Sequence, residues 1–223
     1  MFEAVIFDLD GVLIDSEQAW ARAREQLVRE RGGTWRSDAT RAMMGMSSPE
    51  WSRYMREALG VDMPPEEIAA EVVRRLEDGY RERLPLIAGA QDAVAALASR
   101  WRVGLASSAN RSVIELVLEL AGMRDRFAAT VSAEEVARGK PAPDVYLEAA
   151  RRMGVPPQRC VAVEDSTNGL HAAASAGMGL IAVPNRQFPP AEQALGLADA
   201  VIESLHELRP ELIERMADAR RPA

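Results

Sequence analysis

The chain has 223 residues, 48% of them hydrophobic, which is enough for one sizeable core and a small accessory unit. A formal charge of −7 and a pI near 5.1 argue against a nucleic-acid surface, because the many arginines are interleaved with Glu and Asp, as in Arg22 to Arg31 and Glu71 to Arg83. No apolar stretch approaches the ~18 to 20 residues of a membrane span. The single cysteine, Cys160, has no partner for an internal disulfide and reads as a buried, inert thiol. A cytoplasmic protein with neither membrane nor nucleic-acid partners, monomeric by default, is the expectation.

Along the chain, short apolar runs bounded by turns recur at Ala4 to Phe7, Val103 to Ala106, Ala128 to Val131, Val161 to Val163, Leu180 to Val183 and Val201 to Ile202. They read as buried parallel strands. Helical patterns fall between them. Val113, Leu116, Val117 and Leu120 share one face before Gly122, and Val145, Leu147, Ala150 and Met153 precede Gly154. The alternation predicts an α/β fold, a doubly wound parallel sheet whose ligands gather outside the carboxyl ends of its strands.

The interval between the first two strands breaks that rhythm. From about Ser16 to Leu84 the pattern is helical throughout, with Trp20, Ala23 and Leu27 and later Ile68, Val72, Leu76 and Tyr80. It reads as an all-helical insertion, so the expected domains are 1–15 plus 85–223 for the core and 16–84 for the insertion. Gly32-Gly33 ends one helix, Ser48 serves as an N-cap before Pro49, and Leu84-Pro85 marks the return to the core. The tail from Glu211 onward is charged and is expected to fray after a final helix.

The first strand ends in Phe7-Asp8-Leu9-Asp10-Gly11. Strand alternation points Asp8 and Asp10 the same way, and Gly11 permits a sharp turn behind them. Two like charges at the edge of a core call for a cation, and hard oxygen ligands favour Mg²⁺. Alone, an Asp-x-Asp-Gly run is also a common turn signal. Three further features add weight. Ala106-Ser107-Ser108-Ala109-Asn110 offers hydroxyls and N–H groups ahead of a helix N-terminus. Lys140, the only lysine in the chain, stands in the Pro-stiffened Gly139-Lys140-Pro141 turn. Glu164-Asp165 adds carboxylates at the end of another strand.

Together these residues resemble the haloacid dehalogenase superfamily, in particular its phosphatase and phosphomutase members with a helical cap after the first strand. The resemblance implies a Rossmann-like core and Asp8 as nucleophile, forming an aspartyl-phosphate, with Asp10 as acid and base. It implies Mg²⁺ held by Asp8, the Asp10 carbonyl and Asp165, with Glu164 as a direct or water-mediated partner. Ser107 and Lys140 would neutralise the transferring group, helped by Ser108 and Asn110. The presence of Asp10 argues against dehalogenation.

The cap would choose the substrate, a small phosphorylated metabolite, through Glu17, Trp20 and the loop at Gly45. The start Asp15-Ser16-Glu17 with Trp20 is similar to the hexose-phosphate phosphatases of the group. A β-phosphoglucomutase-like enzyme is the runner-up, but by the resemblance Trp20 stands where that mutase has a histidine and Ser48 where it has a phosphate-gripping arginine, with Arg53, Arg81 or Arg83 as its candidate substitutes. Trp20 fits cap core equally well. An inactive binding protein on this fold would be marked by a lost motif, and none is lost.

Overall fold

A strand with no polar residue needs cover on both faces. The first strand, β1 (Ala4–Phe7), is buried at every position and finds that cover at the middle of a parallel sheet. The other strands are β2 (Arg102–Ser107), β3 (Ala129–Ser132), β4 (Cys160–Glu164), β5 (Gly179–Ala182) and β6 (Ala200–Val201). In this computed structural model, which describes residues 1–43 and 46–220, the six strands run in the order β3-β2-β1-β4-β5-β6. The fold is α/β, with a helical insertion between β1 and β2.

The pleat divides the core. Ala4 and Ile6 join the cluster built with α7 (Asp144–Met153) and α8 (Thr167–Ser175), which includes Val145, Tyr146, Ala149 and Leu170. Phe7 has the opposite parity and meets Phe127 edge to face, with ring centroids 6.4 Å apart. Phe7 is level with Leu105 of β2 and with Val163 of β4. Asp8, Ser107 and Glu164 therefore emerge together at the carboxyl end of the sheet. The strand order reverses beside β1, where a crevice for ligands is expected.

The chain forms two compact units, Met1–Asp15 with Leu86–Ala223 and Ser16–Pro85. The second unit holds α1 (Glu17–Glu30), α2 (Ala39–Met43), α3 (Ser48–Glu57) and α4 (Pro65–Glu82). α1 and α3 both pack against α4, whose Ile68, Val72, Leu76 and Tyr80 recur every four residues as one buried stripe. Trp20 of α1 and Trp51 of α3 meet edge to face at 6.1 Å, and the Arg24 guanidinium lies 4.9 Å from each ring centroid.

Three local expectations change. The N-cap of α3 is Ser47 and not Ser48: Ser47 and Glu50 form a capping box, so the helix starts one residue earlier and Pro49 takes the second position. The buried stripe of α6 (Arg111–Leu120) is Val113, Ile114, Val117 and Leu118, with Leu120 44% exposed. Two adjacent i, i+4 rows make a wider apolar face than the row first read. The segment after Glu211 is helical as α10 (Pro210–Ala219), anchored by buried Ile213 and Met216. Cys160 is buried as expected, and burial pushes its thiol up to about 12. Among the described residues, no helix is long and apolar enough to cross a membrane.

The aromatic pair makes the helical unit's packing testable. Trp51→Ala removes a 2%-exposed indole and is expected to cost about 3–5 kcal/mol in urea unfolding of that unit. A loss below about 1 kcal/mol would contradict the packing role.

Candidate active site

The site starts from the turn that follows β1. The Asp8 N–H still donates to Val163 O at 3.0 Å, so this residue is held by the sheet although it lies just past the strand. Beyond it, Gly11 N–H donates to Ile14 O at 2.8 Å, and Leu13 and Ile14 both donate to Leu9 O. Gly11 adopts φ +76°, and a Cβ there would overlap the Asp165 carboxylate. Glycine at this position satisfies two demands at once, a left-handed turn and room for an acid from the neighbouring strand. The Asp10 side chain is half-buried in that turn.

Lys140 reaches the same place from the turn before α7. Its ammonium lies 2.8 Å from Asp8 Oδ1 and 2.6 Å from Glu164 Oε1, with the side chain only 4% exposed. Burial alone would lower the Lys140 pKa, but Asp8 and Glu164 together outweigh it and raise it, so the group is held as a cation.

Glu164 is fully buried, and five donors converge on it. Lys140 Nζ and Tyr146 Oη donate to Oε1 at 2.6 and 2.9 Å. The Asp165 N–H, the Ser166 N–H and Ser166 Oγ donate to Oε2 at 3.0, 3.1 and 3.1 Å. A carboxylate offers about four lone-pair sites. A side chain at Gly169, on the first turn of α8, would overlap this carboxylate, so the helix start is shaped around it.

Ligand oxygens of Asp8, Glu164 and Asp165 lie within 4.8 Å of one another, and all three residues are buried. Three carboxylates thus face one ammonium. Burial first, then Glu164 and Asp10, push Asp8 up to about 7 against the pull of Lys140. Burial, Glu164 and Asp8 raise Asp165 well above the usual carboxylate range. A divalent cation fits this donor set, because oxygen ligands are hard and the excess negative charge is buried. Asp8, Glu164 and Asp165 each offer an oxygen to such an ion, Glu164 while also accepting these five hydrogen bonds.

Ser107, fully buried at the end of β2, accepts the Ala109 N–H on Oγ at 3.0 Å. Ser132 ties the same loop down by donating to Ala109 O at 2.7 Å. Ser108 is exposed. Asn110 directs its amide to Glu134 Oε1 at 2.7 Å, and Glu134 Oε2 accepts the Arg111 N–H at 2.8 Å. A carboxylate of the chain thus serves the start of α6, where sequence reasoning placed a phosphoryl oxygen. In the helical unit, Glu17 lies half-buried in the first turn of α1, and Trp20 is 8% exposed against Trp51. Gly45 lies outside the described residues. Sequence reasoning passed over Tyr146 and Gly169, which both touch Glu164.

The sequence profile of the haloacid dehalogenase-like hydrolases matches residues 2–177. Hexitol phosphatase B of Escherichia coli (strain K12) is 37% identical over 213 residues, spanning 92% of this chain and 93% of that protein. The crystal structure of CbbY from Rhodobacter sphaeroides in complex with phosphate superposes with a TM-score of 0.83 at 30% identity, covering 93% of this chain and 96% of that one. A β-phosphoglucomutase from Clostridium difficile gives a TM-score of 0.83 at 25% identity, covering 98% of each chain. The profile match begins at the first buried strand and runs through α8, taking in the helical insertion and both acidic strand ends, and the chain belongs to the haloacid dehalogenase-like hydrolases.

Proposed function

We propose that this enzyme is a Mg²⁺-dependent phosphatase that hydrolyses a small sugar or polyol phosphate through an aspartyl-phosphate on Asp8. The observation that carries the reading is the buried Asp8 carboxylate, ion-paired to the chain's only lysine and placed beside Asp165. Similarity to a hexitol phosphatase supports the substrate class.

In the first step Asp8 attacks phosphorus, the P–O bond to the sugar or polyol breaks, and Asp10 gives its proton to the departing oxygen. In the second, Asp10 takes a proton from water, which attacks the same phosphorus, releases phosphate and returns Asp8 as a carboxylate. Ser107 Oγ already accepts a backbone N–H, which leaves its hydroxyl hydrogen to donate to a phosphoryl oxygen. Lys140 supplies fixed positive charge to the transferring group while Glu164 holds it in place. Asp8, Asp165 and the Asp10 carbonyl are assigned to Mg²⁺, and the bound ion supplies charge neutralisation for the carboxylates and phosphoryl oxygens. Ser108 and Asn110 are at most helpers, since Asn110 is engaged by Glu134.

Choice of leaving group is assigned to the helical unit, to Glu17, Trp20 and the Gly45 loop. Hydrolase is favoured over mutase because Ser48 cannot grip a second phosphate as an arginine does.

Purified protein with Mg²⁺ is expected to release phosphate from members of a panel of hexose, pentose and hexitol phosphates, and Asp8→Asn to lose turnover while keeping its melting profile. No release from any panel member, or an active Asp8→Asn variant, contradicts the proposal. Conversion of glucose 1-phosphate to glucose 6-phosphate on addition of a catalytic bisphosphate favours the mutase instead.

Metal binding has a separate signature in stability. Asp8 and Asp165 hold protons more tightly folded than unfolded. The Asp8 contribution in metal-free protein is complete below the ordinary value of 3.8 and is lost as pH rises through about 7, and that of Asp165 is lost in the same direction as pH rises. Mg²⁺ competes with those protons. Saturating Mg²⁺ is expected to raise Tm by roughly 5–10 °C at about pH 8 and by much less at about pH 5. A shift of equal size at both pH values, or none, contradicts the assignment.

A further inference from the structure

Tyr146 sits on the buried face of α7, one turn after the Lys140 loop and outside every role assigned above. Its phenol donates to Glu164 Oε1 at 2.9 Å, the same oxygen that receives Lys140 Nζ at 2.6 Å. Its ring stands under the same ammonium, with Nζ 5.0 Å from the centroid. The residue is fully buried. A leucine or phenylalanine would satisfy the core of α7 without bringing a hydroxyl into an acidic cluster. A buried phenol is tolerated where an acceptor satisfies its O–H.

We infer that Tyr146 is a positioning residue of the phosphoryl-transfer site: through Glu164 Oε1 and its own ring face it fixes the Lys140 ammonium against Asp8. The geometry is a continuous buried chain, from Tyr146 Oη to Glu164 Oε1, from there to Lys140 Nζ, and on to Asp8 Oδ1. Each link restricts the next. Glu164 has its other oxygen tied to the Asp165 and Ser166 N–H groups, so the carboxylate plane is set by the backbone at one end and by Tyr146 at the other. The ring lies against the ammonium that also meets Glu164 and Asp8. The inference rests on the reading of Asp8 as nucleophile for its effect on turnover, but its structural content does not.

Lys140 is the only lysine of the chain, so selective ¹⁵N-lysine labelling of the full-length protein gives one side-chain Nζ resonance. Tyr146→Phe keeps the ring and deletes the hydroxyl. The variant is expected to melt near the wild type, to shift and broaden the Nζ resonance without substrate present, and to lower kcat about 10-fold to 100-fold with KM little changed. Glu164→Gln weakens the same link while leaving Tyr146 in place, and is expected to move the resonance as well. Adding Tyr146→Phe to it should change neither resonance nor kcat further. An unmoved Nζ resonance in both single variants overturns the inference, as does a moved resonance in Tyr146→Phe with wild-type kcat, or full additivity in the double variant. Absence of phosphatase activity in the wild type with a moved resonance counts against the proposed reaction and not against the Tyr146 link.

Discussion

The ammonium of Lys140 lies 2.8 Å from Asp8 and 2.6 Å from Glu164 in a place nearly closed to water, and the rest of the site follows from that contact. Removing a charge from water costs several kcal/mol, and it is tolerated when close, well-oriented opposite charges offset the loss. Two carboxylates do so for Lys140. The converse holds for the acids, since Asp8, Glu164 and Asp165 share one buried volume with a single organic cation between them. A compact ammonium reaches between two carboxylates where a planar guanidinium would need a wider slot. That explains a lysine here in a chain whose other side-chain cations, histidine apart, are all arginine.

The sheet makes this arrangement possible. Parallel pairing of β1 with β2 and β4 brings three strand ends level, so residues far apart in sequence meet without any long loop. Two glycines then remove the atoms that would obstruct the acids: Gly11 beside Asp165, and Gly169 beside Glu164. Packing and charge are therefore one problem at this end of the core. The donors to Glu164 come from the backbone, the Ser166 hydroxyl, α7 and the Lys140 turn, which gives that carboxylate the character of an anchor beside Asp8 and Asp165.

Much of this is written in local pattern. Apolar runs of two to four residues marked the strands, and the unbroken helical periodicity between β1 and β2 marked the insertion. Asp8, Glu164 and Asp165 stood out because charged residues at the end of apolar strands are costly without a purpose, and Lys140 because it is the only lysine and stands in a Pro-stiffened turn. Tyr146 did not stand out, because an aromatic on an amphipathic helix needs no reason beyond the core; only its 2.9 Å contact with Glu164 separates it from Val145 and Ala149. Asn110 makes a contact that its own neighbourhood in the sequence did not announce. Its position before α6 suggested a phosphate contact, and nothing local signalled that Glu134, 24 residues later, would take its amide. The α6 stripe differs from the expectation because Ile114 and Leu118 also satisfy helical periodicity, and they are buried beside Val113 and Val117 where Leu120 is not.

The central claim is that Asp8 itself carries the phosphoryl group. A rapid acid quench during the first turnover with a labelled hexitol phosphate and Mg²⁺, followed by peptide mapping, tests it most directly. A hydroxylamine-labile phosphoryl group on the peptide that contains Asp8, rising and decaying as product appears, is the expected result. Phosphate released in that turnover while this peptide stays unmodified at every quench time would contradict it.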